Sequence, residues 1–229
     1  IGIAGIADWI SKLVKDANGS KMATAGLMIL LFIMMPVNML AKDYREHNRA
    51  GNFVAWDYAY NMLNSCEPDG IIFTNGDNDT FPLWYLQEVR GIRKDIRVVN
   101  LSLLNTPWYI RQLRDDPPTL PLKMSDKDIS GITPIVWEPK DISIAGPIPD
   151  KTPITWNLKP TYAGRYIRVQ DLMVYRIIKD MKWKRPIYFA VTVSPDNQIG
   201  LNKYLQMEGL VYRLTHEKGS ELDYKRMLQ

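Results

Sequence analysis

The sequence has very little of the two side chains that most often hold metals or act as nucleophiles and bases. Cys66 is the only cysteine in the 229 residues, so the chain cannot form an internal disulfide or build a zinc site from paired thiolates. Its two histidines, His47 and His216, lie far apart along the chain. The sequence therefore offers few residues for catalysis by a histidine base or for a metal site built from a pair of histidines.

A strong surplus of charge of one sign is also missing. The net charge is +4, and the basic residues are spread along the chain rather than gathered into a stripe with interleaved aromatic side chains. Such a stripe is the usual mark of nucleic-acid binding. The sequence therefore predicts no nucleic-acid partner.

Charged residues are absent from residues 22–41, which lie between Lys21 and Lys42 and are almost wholly apolar. A helix of about 20 residues spans roughly 30 Å, the thickness of the hydrocarbon core of a bilayer. We therefore predict a transmembrane helix here, with the membrane lipid bilayer as a partner. A buried core helix is the alternative, whereas a signal peptide is disfavoured because the run has no clean cleavage site. Cationic residues flank the run on both sides, so the positive-inside rule leaves its orientation open.

The predicted span divides the chain into three parts. Residues 1–21 begin with an apolar stretch, and we interpret them as a loop that follows a preceding membrane segment of a longer protein. Residues 22–41 are the span itself. Residues 43–229 leave room for one soluble domain with a sizeable core.

Short apolar runs alternate with helical patterns in this soluble part. The runs predicted as strands are residues 71–74, 97–102, 186–192 and 210–214. The predicted helices begin near Phe53, Phe81, Trp108, Arg168 and Leu201. Alternation of this kind is typical of a parallel sheet with crossover helices. The predicted fold class is therefore α/β, with a short, parallel, three-layer, Rossmann-like sheet.

Residues 117–160 interrupt this alternation. They contain nine of the fifteen prolines and show no helical period. Weak alternation around Ile142 to Ile144 indicates short extended pieces. We predict an irregular, proline-rich insertion that contains at most a small hairpin.

Polar side chains follow each of the three predicted parallel strands. Ligands of open parallel sheets bind outside the carboxyl ends of the strands, so these side chains form the predicted ligand site. Its members are Asn75, Asp77, Asn78, Asp79, Asn105 and Asp196. The alternative is that Asn, Asp, Ser and Thr here only cap helices and make turns.

Asp77 and Asp79 are the candidate metal ligands. With the amide oxygens of Asn75 and Asn78 they supply four oxygens within five residues, a set that suits a hard divalent cation. The Asp-x-Asp spacing also matches many nucleotide-sugar transferases, although so short a pattern occurs often by chance. A divalent cation is the one candidate cofactor. The alternative is that Asp79 or Thr80 caps the following helix.

Two further groups of side chains have both a functional and a structural interpretation. A basic zone could meet anionic headgroups or a lipid diphosphate, or be a solvated helix face; it comprises Arg165, Arg168, Lys182, Lys184 and Arg185. Aromatic side chains at two helix starts could stack on sugars or pack in the core; they are Trp84, Tyr85, Trp108 and Tyr109.

Several longer segments together resemble a known family. They are residues 63–68 (LNSCEP), 73–85 (FTNGDNDTFPLWY), 98–105 (VVNLSLLN), 183–195 (WKRPIYFAVTVSP) and 210–214. Across most of residues 53–215 the chain resembles the soluble region of multi-spanning bacterial membrane proteins, once of unknown function. That family is grouped with protein O-mannosyltransferase-like glycosyltransferases of the polytopic class.

The resemblance implies a setting and a role. Residues 22–41 would be the last of many spans in the inner membrane, and the soluble domain would be periplasmic. Members resemble enzymes that move a sugar from a lipid-phosphate donor to a protein acceptor, with the catalytic acid in an early extracytoplasmic loop. The expected function is recognition of the acceptor protein or the lipid-linked sugar. The alternatives are a membrane-tethered, non-catalytic glycan- or peptide-binding module and a metal-dependent transferase that uses Asp77 and Asp79.

Overall fold

The computed structural model of the protein describes residues 17–148 and 151–218, together with Gly2, Gly5, Ile6, Asp8, Trp9 and Lys12. The chain divides into two compact units, residues 1–52 and residues 53–229. We call them the N-terminal unit and the C-terminal unit. Ten of the 21 residues of the predicted loop lie outside the described residues, and its last five, residues 17–21, belong to a helix.

Most of the described residues of the N-terminal unit belong to one long helix, α1 (Ala17–His47). The most apolar 18-residue window within Asn18–His47 has a mean hydropathy of 2.0, and none of that window is buried in protein. It is the one helix in the described residues that is long and apolar enough to cross a membrane. A helix of 31 residues is about 46 Å long, which exceeds the hydrocarbon core and leaves room for its polar C-terminal turns. The helix is compatible with a membrane anchor.

The described part of the C-terminal unit combines helices with nine short strands. The helices are α2 (Val54–Asn64), α3 (Asp77–Trp84), α4 (Pro107–Asp115), α5 (Asp126–Ser130) and α6 (Val169–Met181). The strands are β1 (Ile71–Thr74), β2 (Arg97–Asn100), β3 (Ile135–Val136), β4 (Lys140–Ile144), β5 (Ile154–Leu158), β6 (Tyr166–Ile167), β7 (Ile187–Ala190), β8 (Leu205–Glu208) and β9 (Val211–Leu214). A π-helical turn at Tyr85–Val89 extends α3.

The central sheet has five strands in the order β2-β1-β7-β9-β8. The first three are parallel, whereas β9 runs antiparallel to both β7 and β8. The α/β class is therefore confirmed, but the sheet is mixed rather than wholly parallel. The antiparallel pair arises because Leu205–Glu208 forms a strand where the sequence predicted a helix over residues 201–207. Gly209, with a φ of +59°, makes the tight turn to β9.

The core lies on both faces of the parallel strands. All four residues of β1 and all four of β7 are buried, which explains why these strands are continuous apolar runs instead of alternating ones. Phe73 and Phe189 meet across the two strands, with their ring centroids 4.9 Å apart. Burying one such ring contributes roughly 2–3 kcal/mol.

Residues 117–160 are more ordered than their proline content indicates. Strands β4 and β5 form an antiparallel hairpin in which Lys140 pairs with Leu158 and Ile144 with Ile154. Ile154, Trp156 and Leu158 alternate with exposed residues and are buried. The small hairpin that the sequence suggested is therefore present, and its apolar face belongs to the hydrophobic core.

Candidate functional site

The segment with the two candidate metal ligands is the first turn of a helix, not a loop. Helix α3 begins at Asp77, four residues before the predicted start at Phe81. Gly76, in an extended conformation, precedes it. Acidic residues in a first turn are favourable because they face the positive end of the helix dipole. Local helix stabilisation thus accounts for part of this acidic pattern.

Asp79 lies buried at the junction of three segments. Tyr58 of α2 donates a hydrogen bond to its Oδ1 at 3.4 Å, and Thr192, which follows β7, donates to its Oδ2. Burial and, secondarily, the charge of Asp79 raise the pKa of Tyr58 to about 12, so this phenol stays protonated as a donor. The carboxylate is 4% exposed, and its contacts are those of a structural link.

Asp77 and Asn78, by contrast, are exposed. The two acids of the Asp-x-Asp pattern therefore occupy different surroundings, one in solvent and one engaged by hydroxyl donors. In the described part of the chain, no group of three or more His, Cys, Asp or Glu side chains is placed to hold a metal ion. The metal site at Asp77 and Asp79 stays a prediction, and the geometry favours the structural role of Asp79.

Buried hydroxyl and amide groups form a hydrogen-bonded cluster that connects the carboxyl ends of β1 and β2. The hydroxyls of Thr74 and Thr80 lie 2.7 Å apart, and Asn100 donates its Nδ2 to Thr80 Oγ1 at 2.8 Å. Thr80 in turn donates to the carbonyl of Gly76 at 2.8 Å. Because all of these side chains are buried and satisfied, the cluster positions α3 on the sheet rather than offering groups to a ligand.

Two of the predicted site residues, Asn75 and Asn105, belong to one hydrogen-bonded network. Asn197 donates to Asn75 at 3.2 Å. Asn105 and Gln170 bond reciprocally, at 3.0 Å from Asn105 Nδ2 to Gln170 Oε1 and at 3.1 Å from Gln170 N to Asn105 Oδ1. Gln170 Nε2 lies 3.4 Å from Asn197 Oδ1 and so joins the two halves.

Arg168, at the start of α6, completes this set, which we call the edge network. It donates to Asn197 Oδ1 at 2.8 Å and to Asp171 at 2.6 Å. Asp171 is fully buried. The members of the edge network are Asn75, Asn105, Arg168, Gln170, Asp171 and Asn197. Sequence reasoning missed Gln170 and Asp171, whose only local signal is their polarity in the first turn of an otherwise apolar helix.

Beside the edge network opens a pocket of about 1060 Å³. It lies between β5 and the segment after β7, and we call it the hairpin pocket. Asp196, the sixth predicted site residue, lines it together with Arg168 of the edge network. Further polar lining comes from Asp141, Asn157, Asn202, Lys203 and Tyr204. The predicted site residues are thus divided between the first turn of α3, the edge network and this pocket.

Trp156, which lines the hairpin pocket, has an unsatisfied polar group. Its side chain is 6% exposed, and its indole Nε1, which is covered by protein, has no hydrogen-bond acceptor among the described residues. Trp137, which is 7% exposed, donates its Nε1 to the carbonyl of Leu158 at 3.0 Å. An unsatisfied buried N–H costs about 1–3 kcal/mol. The N–H of Trp156 is therefore a cost to the fold beside the pocket.

The basic zone predicted from the sequence is dispersed. Arg168 belongs to the edge network, whereas Arg185 donates to the backbone carbonyls of Asp69, Gly70 and Thr119 and so fastens loops together. Burial lowers the pKa of Arg185. The zone therefore does not act as one anion-binding surface.

The four aromatic side chains at the helix starts also differ in their surroundings. Tyr109 is buried, and its hydroxyl bridges Val98 O and Asn100 N along the edge strand β2. These hydrogen bonds satisfy backbone groups of the edge strand that would otherwise be free to pair with another strand. Trp84 and Trp108 both line a pocket of about 730 Å³, and Trp108 is more than half exposed. Core packing thus explains Tyr109 but not Trp108.

Comparison with known proteins places this chain in a family. No solved structure matches it. The model of the family described as TMEM260-associated domain 2 matches residues 55–136 and 140–227. The match covers most of the C-terminal unit, including the edge network and both strands of the hairpin. The chain therefore belongs to the TMEM260-associated domain 2 family.

Proposed function

We propose that the C-terminal unit is the substrate-recognition domain of a polytopic, glycosyltransferase-like membrane protein. It binds the acceptor protein or the lipid-linked sugar on the periplasmic side of a bacterial inner membrane. Family membership supports this proposal, because TMEM260 is a protein O-mannosyltransferase-like protein. The helix α1, which is compatible with a membrane anchor, supports the membrane setting.

The observation that carries the proposal is the lining of the hairpin pocket, which combines hydrogen-bond donors, acceptors and apolar groups. A sugar hydroxyl both donates and accepts hydrogen bonds. Lys203 supplies a donor, and the carboxylates of Asp141 and Asp196 supply acceptors, of which Asp141 already accepts from Asn157 Nδ2 at 3.0 Å. Pockets that combine an apolar body with a few polar groups of both kinds suit small polyhydroxylated ligands.

Recognition without catalysis fits the state of the acidic residues. A catalytic base must reach the proton that it removes, but Asp79 is buried and engaged by Tyr58 and Thr192. The family resemblance implies a catalytic acid in an early extracytoplasmic loop. Under this proposal the present domain selects and holds a substrate, and another part of the intact protein performs the transfer.

Titration of the full chain in neutral detergent with methyl α-mannoside, followed by saturation-transfer NMR, tests the proposal. We expect binding that Asp196→Asn weakens, because the variant keeps the shape of the side chain and removes one charged acceptor from the pocket. Asp77→Asn, at an exposed position outside the pocket, is the matched control and should bind normally. Equal binding by all three proteins, or no binding by any, would refute the role of the hairpin pocket.

The polytopic setting has a separate test in the gene itself. Sequence upstream of the codon for Ile1 should encode further apolar spans, with an acidic residue in the first extracytoplasmic loop. A gene without such spans would instead favour the membrane-tethered module that binds glycan or peptide and transfers nothing.

A further inference from the structure

A second pocket, of about 940 Å³, is bordered by α5, β4 and α6. Five cationic side chains line it, and we call it the basic pocket. They are Lys123, Lys127, Lys140, Arg176 and Lys179. They come from four separate segments of the chain, so the fold, not a local basic run, brings them together.

These five cations differ from four arginines elsewhere in the C-terminal unit. Arg93, Arg114, Arg168 and Arg213 each lie within 3.0 Å of a carboxylate oxygen. In the part of the chain that the structure describes, none of the five forms a salt bridge. Their positive charges are therefore not neutralised by direct ion pairs.

The basic pocket holds two carboxylates, and one of them is already occupied. Asp128 Oδ2 accepts hydrogen bonds from the backbone N–H of Ser125 at 3.0 Å and from its hydroxyl at 2.6 Å, as part of the capping box of α5. Asp180 is the other acid. Five cations against two carboxylates leave the pocket with a net positive charge.

Two of the five cations lie over the faces of aromatic rings. Lys140 Nζ lies 3.8 Å from the ring centroid of the buried Trp137, and Lys179 Nζ lies 5.8 Å from that of Tyr175. A cation over an aromatic face is held electrostatically, which restricts the freedom of a long side chain.

We propose that the basic pocket binds a phosphate or diphosphate group. Phosphate oxygens accept charge-assisted hydrogen bonds from guanidinium and ammonium groups. Arg176 donates one hydrogen bond from its Nη1, to Met124 Sδ at 3.1 Å, and its other N–H groups can bind a phosphate. The group belongs either to a lipid headgroup or to a soluble phosphorylated ligand. This site does not rest on the proposed function, because its residues lie outside the hairpin pocket.

Isothermal titration of the full chain in neutral detergent with inorganic pyrophosphate tests the proposal. We expect binding that weakens as salt rises and that falls at least about tenfold in the double variant Lys140→Gln/Lys179→Gln. Lys182→Gln/Lys184→Gln is the control. It removes the same charge from exposed positions outside the pocket and should bind pyrophosphate like the unmodified chain.

Equal losses in the two double variants would overturn the proposal, since they would show attraction to net charge alone. Absence of pyrophosphate binding by the unmodified chain would overturn it too. Thermal melting of each variant separates loss of binding from loss of fold. To identify the source of the phosphate, pyrophosphate affinity is then measured in phosphatidylcholine nanodiscs with and without phosphatidic acid. Competition by the acidic lipid identifies a headgroup, and unchanged pyrophosphate affinity identifies a soluble ligand.

Discussion

The edge network and the two pockets beside the β4–β5 hairpin use polar side chains in opposite ways. In the edge network, Asn75, Asn105 and Asn197 are all bonded to other side chains of the chain itself. Beside the hairpin, the ammonium of Lys140 and the carboxylate of Asp196 form no salt bridge with the described residues. Polar groups whose bonds are complete hold a fold together, whereas incomplete ones retain the capacity to bind. The comparison therefore moves the expected ligands away from the acidic segment that is most conspicuous in the sequence.

The largest effect that we predict concerns the two acids of α3. Asp79→Ala should lower the free energy of unfolding by about 1–3 kcal/mol, because it removes the buried, charged acceptor to which the half-buried Tyr58 and the more exposed Thr192 donate. Asp77→Ala changes an exposed side chain and should stay within about 0.5 kcal/mol. Urea unfolding of both variants, followed by circular dichroism, measures the difference.

Equal stabilities for these two variants would break the assignment of Asp79 as a structural link. Melting with added Mn²⁺ examines the remaining metal hypothesis on the same proteins. A bound ion would raise the melting temperature of the unmodified chain and not that of Asp77→Ala. From the engaged state of Asp79 we expect the same melting temperature with and without the ion in both proteins.

The next effect compares two tryptophans with nearly equal burial. Trp137→Phe should cost about 1–2 kcal/mol more than Trp156→Phe, because only the first change breaks a hydrogen bond and leaves the carbonyl of Leu158 unsatisfied. Both changes remove a similar ring volume, so their cavity costs are comparable. Thermal unfolding of the two single variants gives the difference. A greater loss in Trp156→Phe would mean that its N–H is satisfied in the folded chain.

Much of the fold could be read from local patterns. Strand β1 occupies residues 71–74 as predicted, because a short, mostly apolar run bounded by turn residues is typical of a strand buried on both faces. Strand β8 could not be recognised, because the short run from Leu201 to Met207 fits a helix or a strand equally well. Its pairing with β9 decides the outcome, and that is a tertiary interaction.

The site was less accessible to sequence reasoning. Asn75 and Asn105 could be placed at one edge of the sheet, since both follow parallel strands. Their partners could not be foreseen, because Gln170 lies 65 residues from Asn105 and Asn197 lies 122 from Asn75. The lysines of the basic pocket are likewise scattered, and only the folded hairpin and α6 bring Lys140 and Lys179 to one cavity.

A paired charge provides a smaller effect that sharpens the contrast with the basic pocket. Hydrogen bonds from Arg93, chiefly, lower the pKa of Asp95. A lowered pKa in the folded state means that the pair stabilises the protein above the ordinary pKa and that this contribution disappears as the pH falls through the folded value. The stability difference between the unmodified chain and Asp95→Asn should therefore be about 1 kcal/mol near neutral pH and shrink below about pH 4. Urea titrations across this range measure it, and a difference that grew in acid would contradict the sign.

The smallest predicted effect has the opposite direction. Lys123→Gln/Lys127→Gln removes two like charges of the basic pocket that the described chain leaves without ion pairs, so it should raise the free energy of unfolding by about 0.3 kcal/mol at low salt. High salt should abolish the gain, because screening removes the repulsion. Lys182→Gln/Lys184→Gln should show less of it, since these residues lie outside the pocket. A gain in stability that accompanies loss of pyrophosphate binding is the signature of residues kept for a ligand at a cost to the fold. If the pocket variant is instead destabilised at every salt concentration, its lysines serve packing, and the contrast between satisfied and unsatisfied polar groups fails at this pocket.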